Sequence, residues 1–70
     1  MNIVTQLGMR IKFLRKSKKL SQLDLSLEAG VNKNYISDLE KGRRNPTILV
    51  LNKIAVALNI DLATLFKGIQ

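Results

Sequence analysis

The 70-residue chain contains no cysteine, no histidine and no tryptophan. Without thiols or imidazoles it has no disulfide, no thiolate nucleophile and none of the ligand sets of the common zinc sites, and nothing marks it as secreted. Aromatic side chains are confined to Phe13, Tyr35 and Phe66. Acidic residues are few, 5 against 12 Lys and Arg, for a net charge of +7. No apolar run approaches the roughly 20 residues needed to span a bilayer, and the N-terminus lacks a signal-peptide pattern. The expected location is therefore cytoplasmic, at the nucleoid, with no membrane partner. There is no glycine-rich phosphate loop and no carboxylate pair on a shared apolar pocket, so catalysis has no recognisable machinery. No cofactor, metal or small-molecule ligand is expected. The 46% of hydrophobic residues suffices for one small core and no second domain.

The charge is unevenly placed. Residues 1–20 carry Arg10, Lys12, Arg15, Lys16, Lys18 and Lys19 without an acid. Residues 21–40 hold Asp24, Glu28, Asp38 and Glu40 against Lys33 alone, and Lys41, Arg43 and Arg44 follow. Two basic blocks thus bracket a neutral-to-acidic segment. A solvated surface is the simplest account of such charge. Phosphate contact on both flanks of a groove-reading helix explains the bracketing better.

No segment alternates with a period of two over strand length, and there is no repeat, low-complexity tract or linker. Ile3, Leu7, Ile11 and Leu14 recur at helical spacing, predicting a first helix over about 3–18. Ser21 and Asp24 make a shortened capping box, and Leu20 with Leu25 a hydrophobic staple, opening a second helix over about 21–29. Gly30 ends it where positive φ costs nothing. Asn32 caps a third helix over about 32–41, with Val31 and Ile36 repeating the staple and Gly42 as its stop. Gly42 to Asn45 form a basic loop. Asn45-Pro46 places a cap residue before a proline at the first helical position, predicting a fourth helix over about 46–58. Ile60, Asp61 and Leu65 repeat the cap and staple for a short fifth helix to about Lys67, which Gly68 terminates. The fold class is all-α: five helices in one domain, residues 1–70.

The fourth helix is apolar nearly all round. Ile48, Leu51, Ile54, Ala55 and Leu58 share one face, while Leu49 and Val56 project from the opposite side with Val50 and Ala57 between. A helix of that kind is normally buried on all sides, yet so small a domain covers only one. Leu49, Val50 and Val56, with Leu62, Phe66 and Ile69 from the stripe that follows, are the candidate homodimer interface, over about 46–70. Scattered surface apolar residues are the plainer alternative.

Two helices joined by so tight a glycine turn cross steeply rather than lie antiparallel, the geometry of a helix-turn-helix over about 21–41 whose second helix can enter a major groove. Gln22 lies in the first turn of the second helix, where a side-chain amide and free backbone N–H groups can grip a phosphate. Lys33, Asn34 and Ser37 project away from the inward Ile36 and Leu39. Lys can donate to guanine O6 and N7, and Asn can pair with adenine N6 and N7. Asp38 could accept from cytosine N4 or repel backbone and limit wrong registers. Tyr35 could donate to a phosphate or serve as a packed aromatic.

The segment LSQLDLSLEAGVNKNYISDLEKGRRNPTILVLNKIAVALNIDLATLF resembles the Xre-type helix-turn-helix domain of lambda-type phage repressors and Cro proteins, over about Leu7 to Phe66. The resemblance implies a compact five-helix DNA-binding domain that binds operator DNA as a dimer and regulates transcription. On that resemblance Gln22 takes the phosphate-clamping position, and Lys33, Asn34, Ser37 and Asp38 take base-reading or groove-facing positions. Arg43 and Arg44 occupy the loop that holds backbone, and Asn32 and Tyr35 complete the DNA-contacting set. It also pairs Arg15 with Glu40 as an internal ion bridge, where two solvent-facing charges are the alternative. The chain departs from the family at Ser26, where alanine is common, and at Met9, Phe13, Leu23 and Leu27, where polar residues are usual. These four suggest a second apolar patch, covered by Met1 to Val4.

The function expected is sequence-specific transcriptional regulation by a homodimer on a pseudo-palindromic operator, reading successive major grooves about 34 Å apart. The chain ends at Gln70 with no room for a sensing domain, so regulation is expected to run through concentration. Cro-like repressors and the controller proteins of restriction–modification systems both fit a stand-alone domain. An antitoxin-like interaction module with a DNA-binding fold, and a nonspecific DNA binder, are the alternatives.

Overall fold

In the computed structural model, which describes residues 2–70, helices α1 (Ile3–Ser17), α2 (Gln22–Ala29), α3 (Lys33–Glu40), α4 (Ile48–Ala57) and α5 (Leu62–Leu65) follow one another without a strand among the described residues. α3 packs against α1 and α2, and α4 packs against α2 and α5. The core is the meeting of their apolar stripes: Leu7, Ile11 and Leu14 from α1, Leu25 and Ala29 from α2, Ile36 and Leu39 from α3, then Leu51, Ile54, Ala55, Leu58 and Leu65.

Each helix starts on a side-chain cap. Asn2 accepts from the Thr5 amide, Ser21 from Asp24, Asn32 from Asn34 and Asp61 from Thr64. The Ser21 amide in turn donates to Asp24 Oδ2 at 2.9 Å, closing the capping box. These bonds hold Asp24 below the ordinary carboxylate range, chiefly through the Ser21 backbone, and Asp61 likewise through the side chain and then the backbone of Thr64. A carboxylate depressed in the fold stabilises it while ionised, and that contribution disappears as pH falls through the lowered value.

One turn serves three times. Lys19, Gly30 and Asn59 each adopt left-handed φ (59°, 68° and 58°), and the residue after each donates back five positions: Leu20 to Arg15 O, Val31 to Ser26 O, Ile60 to Ala55 O. An apolar residue and then a cap follow in every copy. Glycine is the easiest occupant of this conformation, yet lysine and asparagine hold it at the other two sites. The turn chemistry is therefore general in this chain, and its use between α2 and α3 is one case of three.

α1 approaches the end of α3 backbone to backbone. A Cβ built on Gly8 would overlap the Leu39 carbonyl oxygen and stand 3.0 Å from that of Glu40. Glycine within a helix costs about 1 kcal/mol relative to alanine; here it permits the crossing.

Three expectations are corrected. The cap of α4 is Thr47, whose Oγ1 accepts from the Val50 amide at 3.2 Å, and Pro46 lies outside the helix. Asn45 and Thr47 are both cap-type residues, and starting at Ile48 puts Pro46 and Leu51 at the two positions of a hydrophobic staple. The later start leaves Ile48 in the first turn at 65% exposure rather than inward with Leu51. Nor does the N-terminus cover a second patch: Asn2 to Val4 form the cap and first turn of α1, and Met1 lies outside the described residues. Met9 and Phe13 instead line an open groove of about 290 Å³ against Lys67, Gly68 and Ile69, with Leu23 and Leu27 outside it.

The cap correction is measurable. Thr47→Ala is expected to lower unfolding free energy by about 1 kcal/mol and Asn45→Ala to leave it unchanged within a few tenths, both by urea denaturation; equal losses would return the cap to Asn45.

Candidate nucleic-acid interface

α2 packs against α3, and Ser26 and Ala29 of α2 are both buried. The Ser26 hydroxyl donates to the Leu23 carbonyl at 2.7 Å, so the polar atom that replaces a simple methyl is satisfied within α2. Gly30 to Asn32 then turn the chain, and α3 leaves with Ile36 and Leu39 fully buried. At 100° per residue, Lys33, Ser37, Asn34 and Asp38 occupy a continuous arc of about 140° on the opposite side. Lys33 and Asn34 are exposed, Ser37 is half-buried between them, and Asp38 is half-buried at one edge. Asn32 is exposed; its Oδ1 accepts from the Asn34 amide at 2.7 Å, and its side-chain N–H groups can donate to a partner.

The far end of α3 is locked by charge. Arg15 Nε and Nη2 donate to Glu40 Oε2 and Oε1 at 2.6 and 3.0 Å, and Arg15 Nη1 donates to the Leu20 carbonyl at 2.7 Å. Both side chains are buried, and the carboxylate raises the Arg15 pKa further above its ordinary value through its hydrogen bonds. Gln22 Nε2 donates to Glu40 Oε1 at 3.1 Å. One carboxylate thus joins α1, the first turn of α2 and the end of α3. The Gln22 amide retains a second N–H, and its placement is set by Glu40.

The rim of α3 carries a second cluster. Tyr35 is half-buried against the core. The Arg44 guanidinium lies 5.0 Å from the centre of its ring, and Arg44 Nε stands 3.7 Å from Asp38 Oδ2. Arg43 is exposed beside it. Glycine at position 42 takes φ of 74°, with a hypothetical Cβ 2.9 Å from Thr5 Oγ1, so this loop also rests on α1.

Arg10 is the residue that sequence reasoning missed. It lies in the basic block of residues 1–20, but its Nη2 and Nε donate to the Thr64 and Leu65 carbonyls at 2.8 and 3.3 Å, closing the end of α5. Within residues 1–20 both arginines serve internal acceptors, while Lys12, Lys16, Lys18 and Lys19 are exposed. The signal was present in the choice of side chain: the guanidinium fork satisfies several acceptors in fixed geometry, and an ammonium does not. The proposed self-association residues divide similarly. Leu49 and Val56 are 63% and 69% exposed, whereas Val50, Leu62, Phe66 and Ile69 are half-buried against the core.

A short left-handed turn, a second helix with one buried and one polar face, and cations at its rim define a helix-turn-helix. The helix-turn-helix family HTH_3 matches residues 11–65, and the chain belongs to that family. It is 38% identical over 58 residues to the immunity repressor protein of Bacillus phage phi105, covering 83% of this chain and 40% of the repressor, so it spans less than half of that relative. It is 36% identical over 70 residues to control protein C.MunI of Mycoplasma sp, covering 99% and 95% of the two chains. The restriction-modification controller protein C.Esp1396I, solved as a tetramer in complex with its natural 35 base-pair operator, is similar in structure with a TM-score of 0.90 at 28% identity, over 99% of this chain and 91% of that one. No helix among the described residues is long and apolar enough to cross a membrane.

The ion pair has a measurable signature. Arg15→Met strands the Glu40 carboxylate and is expected to cost about 3–5 kcal/mol, whereas Arg15→Met with Glu40→Met recovers most of that loss because the buried pair itself is close to neutral. Chemical denaturation of both variants decides: a double variant as unstable as the single would contradict it.

Proposed function

We propose that this chain is a sequence-specific DNA-binding transcriptional regulator that acts as a homodimer on a pseudo-palindromic operator. The observation that carries this reading is the polar arc of α3, with Lys33 and Asn34 exposed and Ser37 half-buried between them, on a helix whose opposite face and far end are both immobilised. Asn34 and Lys33 supply donors and acceptors suited to base edges in the major groove. Gln22, Arg43 and Arg44 supply phosphate contacts on either side. The relatives named above support it, one as a repressor and two as control proteins, one of these bound to its operator.

Dimerisation follows from affinity. One such domain makes too few contacts for the 10⁻⁸–10⁻¹¹ M typical of specific sites, so two copies share an operator. Leu49 and Val56, apolar and exposed on α4, are the centre of the contact, flanked by Val50, Leu62, Phe66 and Ile69. The protein acts in the cytoplasm on double-stranded DNA, as a regulator rather than an enzyme and without a small-molecule ligand.

Selection from a random DNA pool is expected to enrich an inverted repeat with half-site centres about 34 Å apart. Against the selected duplex, Lys33→Ala or Asn34→Ala should cost about 1–3 kcal/mol and relax preference at particular base pairs. Arg43→Ala should weaken all sequences alike and shallow the salt dependence. A pool that stays random, or identical effects of all three changes on every sequence, would leave a nonspecific binder. Val56→Glu should give monomers in sedimentation and lose operator binding while the fold is retained; a variant that remains dimeric would move the interface elsewhere.

A further inference from the structure

In the loop after α3, the Arg44 side chain makes two contacts with that helix: the Tyr35 ring and the Asp38 carboxylate. Neither hold is strong. The arginine and aspartate side chains are 51% and 37% exposed, and an ion pair at 3.7 Å in that setting is screened by water and salt. The stacking is solvent-facing on one side and fixes direction more than it fixes occupancy. Asp38 is moreover an acid on the polar arc of a helix that meets a polyanion, an arrangement that costs affinity unless it serves discrimination.

We propose that Asp38 is a specificity-determining residue that acts through Arg44. By serving as its internal counter-ion, Asp38 withholds the guanidinium from the phosphates of arbitrary DNA. Seating of α3 on matching base pairs brings the backbone close enough to take Arg44 from the carboxylate, so this cation contributes to operator binding and little to nonspecific binding. The inference rests on the DNA-reading role proposed above. It adds a restraint that raises the ratio of specific to nonspecific affinity without a base contact.

The test is a double-mutant cycle on the full chain with Asp38→Asn, Arg44→Ala and both together, titrated against the selected operator and a scrambled duplex of equal length over a range of salt. Asp38→Asn keeps the shape of the side chain, and the backbone carbonyl of Asp38 still accepts from Lys41 and Arg43. The expected result is a gain on the order of tenfold for scrambled DNA near 0.1 M salt, with a salt slope steeper by about 0.9, and a smaller gain for operator. In the Arg44→Ala background the same change should gain less than about twofold. Asp38→Glu should behave like wild type. An equal gain with and without Arg44 would overturn the proposal, because Asp38 would then be a plain repulsive charge. So would no gain at all, or a loss confined to operator, which would make Asp38 a base-reading residue. Failure of the regulator reading is seen separately, as wild-type protein that does not prefer the selected duplex.

Discussion

The approach of α1 to the C-terminal end of α3 is the constraint on which the rest depends. Gly8 lets the two backbones touch, with the Leu39 and Glu40 carbonyls occupying the space a side chain would need. Two helical turns further along α1, Arg15 grips Glu40 with two hydrogen bonds and the Leu20 carbonyl with a third. Thr5 packs under Gly42, extending the seam into the basic loop. α3 is short, and isolated helices of that length are not stable in water. Its rigidity therefore comes from this seam and from burial of Ile36 and Leu39, which leaves the opposite arc free of structural duties. A reading surface needs such a division, because groups held in place before binding lose little freedom when they bind.

The same seam explains how charge is apportioned. A chain this basic could have used every cation against phosphate. Arg10 and Arg15 instead close helix ends and join elements, Arg44 sits between Tyr35 and Asp38, and the exposed lysines remain for solvent and polyanion. The Glu40 carboxylate holds Gln22 as well as Arg15, so the side-chain amide in the first turn of α2 and the end of α3 share one anchor. The proposed backbone contact of Gln22 and the proposed base contacts of α3 are thereby coupled through a single buried acid.

Much of the fold was legible because its signals are local. Ser21 with Asp24, Asn32 and Asp61 announce helix starts through side chains that bond amides two or three residues away, and Leu7, Ile11 and Leu14 announce a buried face through spacing alone. The start of α4 was misplaced because two adjacent cap-type residues, Asn45 and Thr47, compete, and only the packing of Leu51 and Ile54 selects between them. The Gly30 turn is not by itself a mark of the helix-turn-helix, since Lys19 and Asn59 make the same turn. Gly8 and the role of Arg10 were not legible, because each depends on a partner more than thirty residues away in the chain. The polar arc of α3 could be located from sequence, but its rim could not: the stacking of Arg44 on Tyr35 and its pairing with Asp38 follow from how the loop after α3 folds back.

The account stands or falls on α3 being the surface that distinguishes one sequence from another. The most direct measurement is a heteronuclear NMR titration of isotope-labelled protein with a selected operator duplex and with a scrambled duplex. The account predicts operator-specific shifts centred on the Asn34 side-chain amide and the backbone of Lys33, Asn34 and Ser37, with Gln22 following. Leu39, Glu40 and Arg15 should keep one conformation throughout. Sequence-dependent shifts that fall on α1 or on α5, with those of α3 the same for both duplexes, would contradict it.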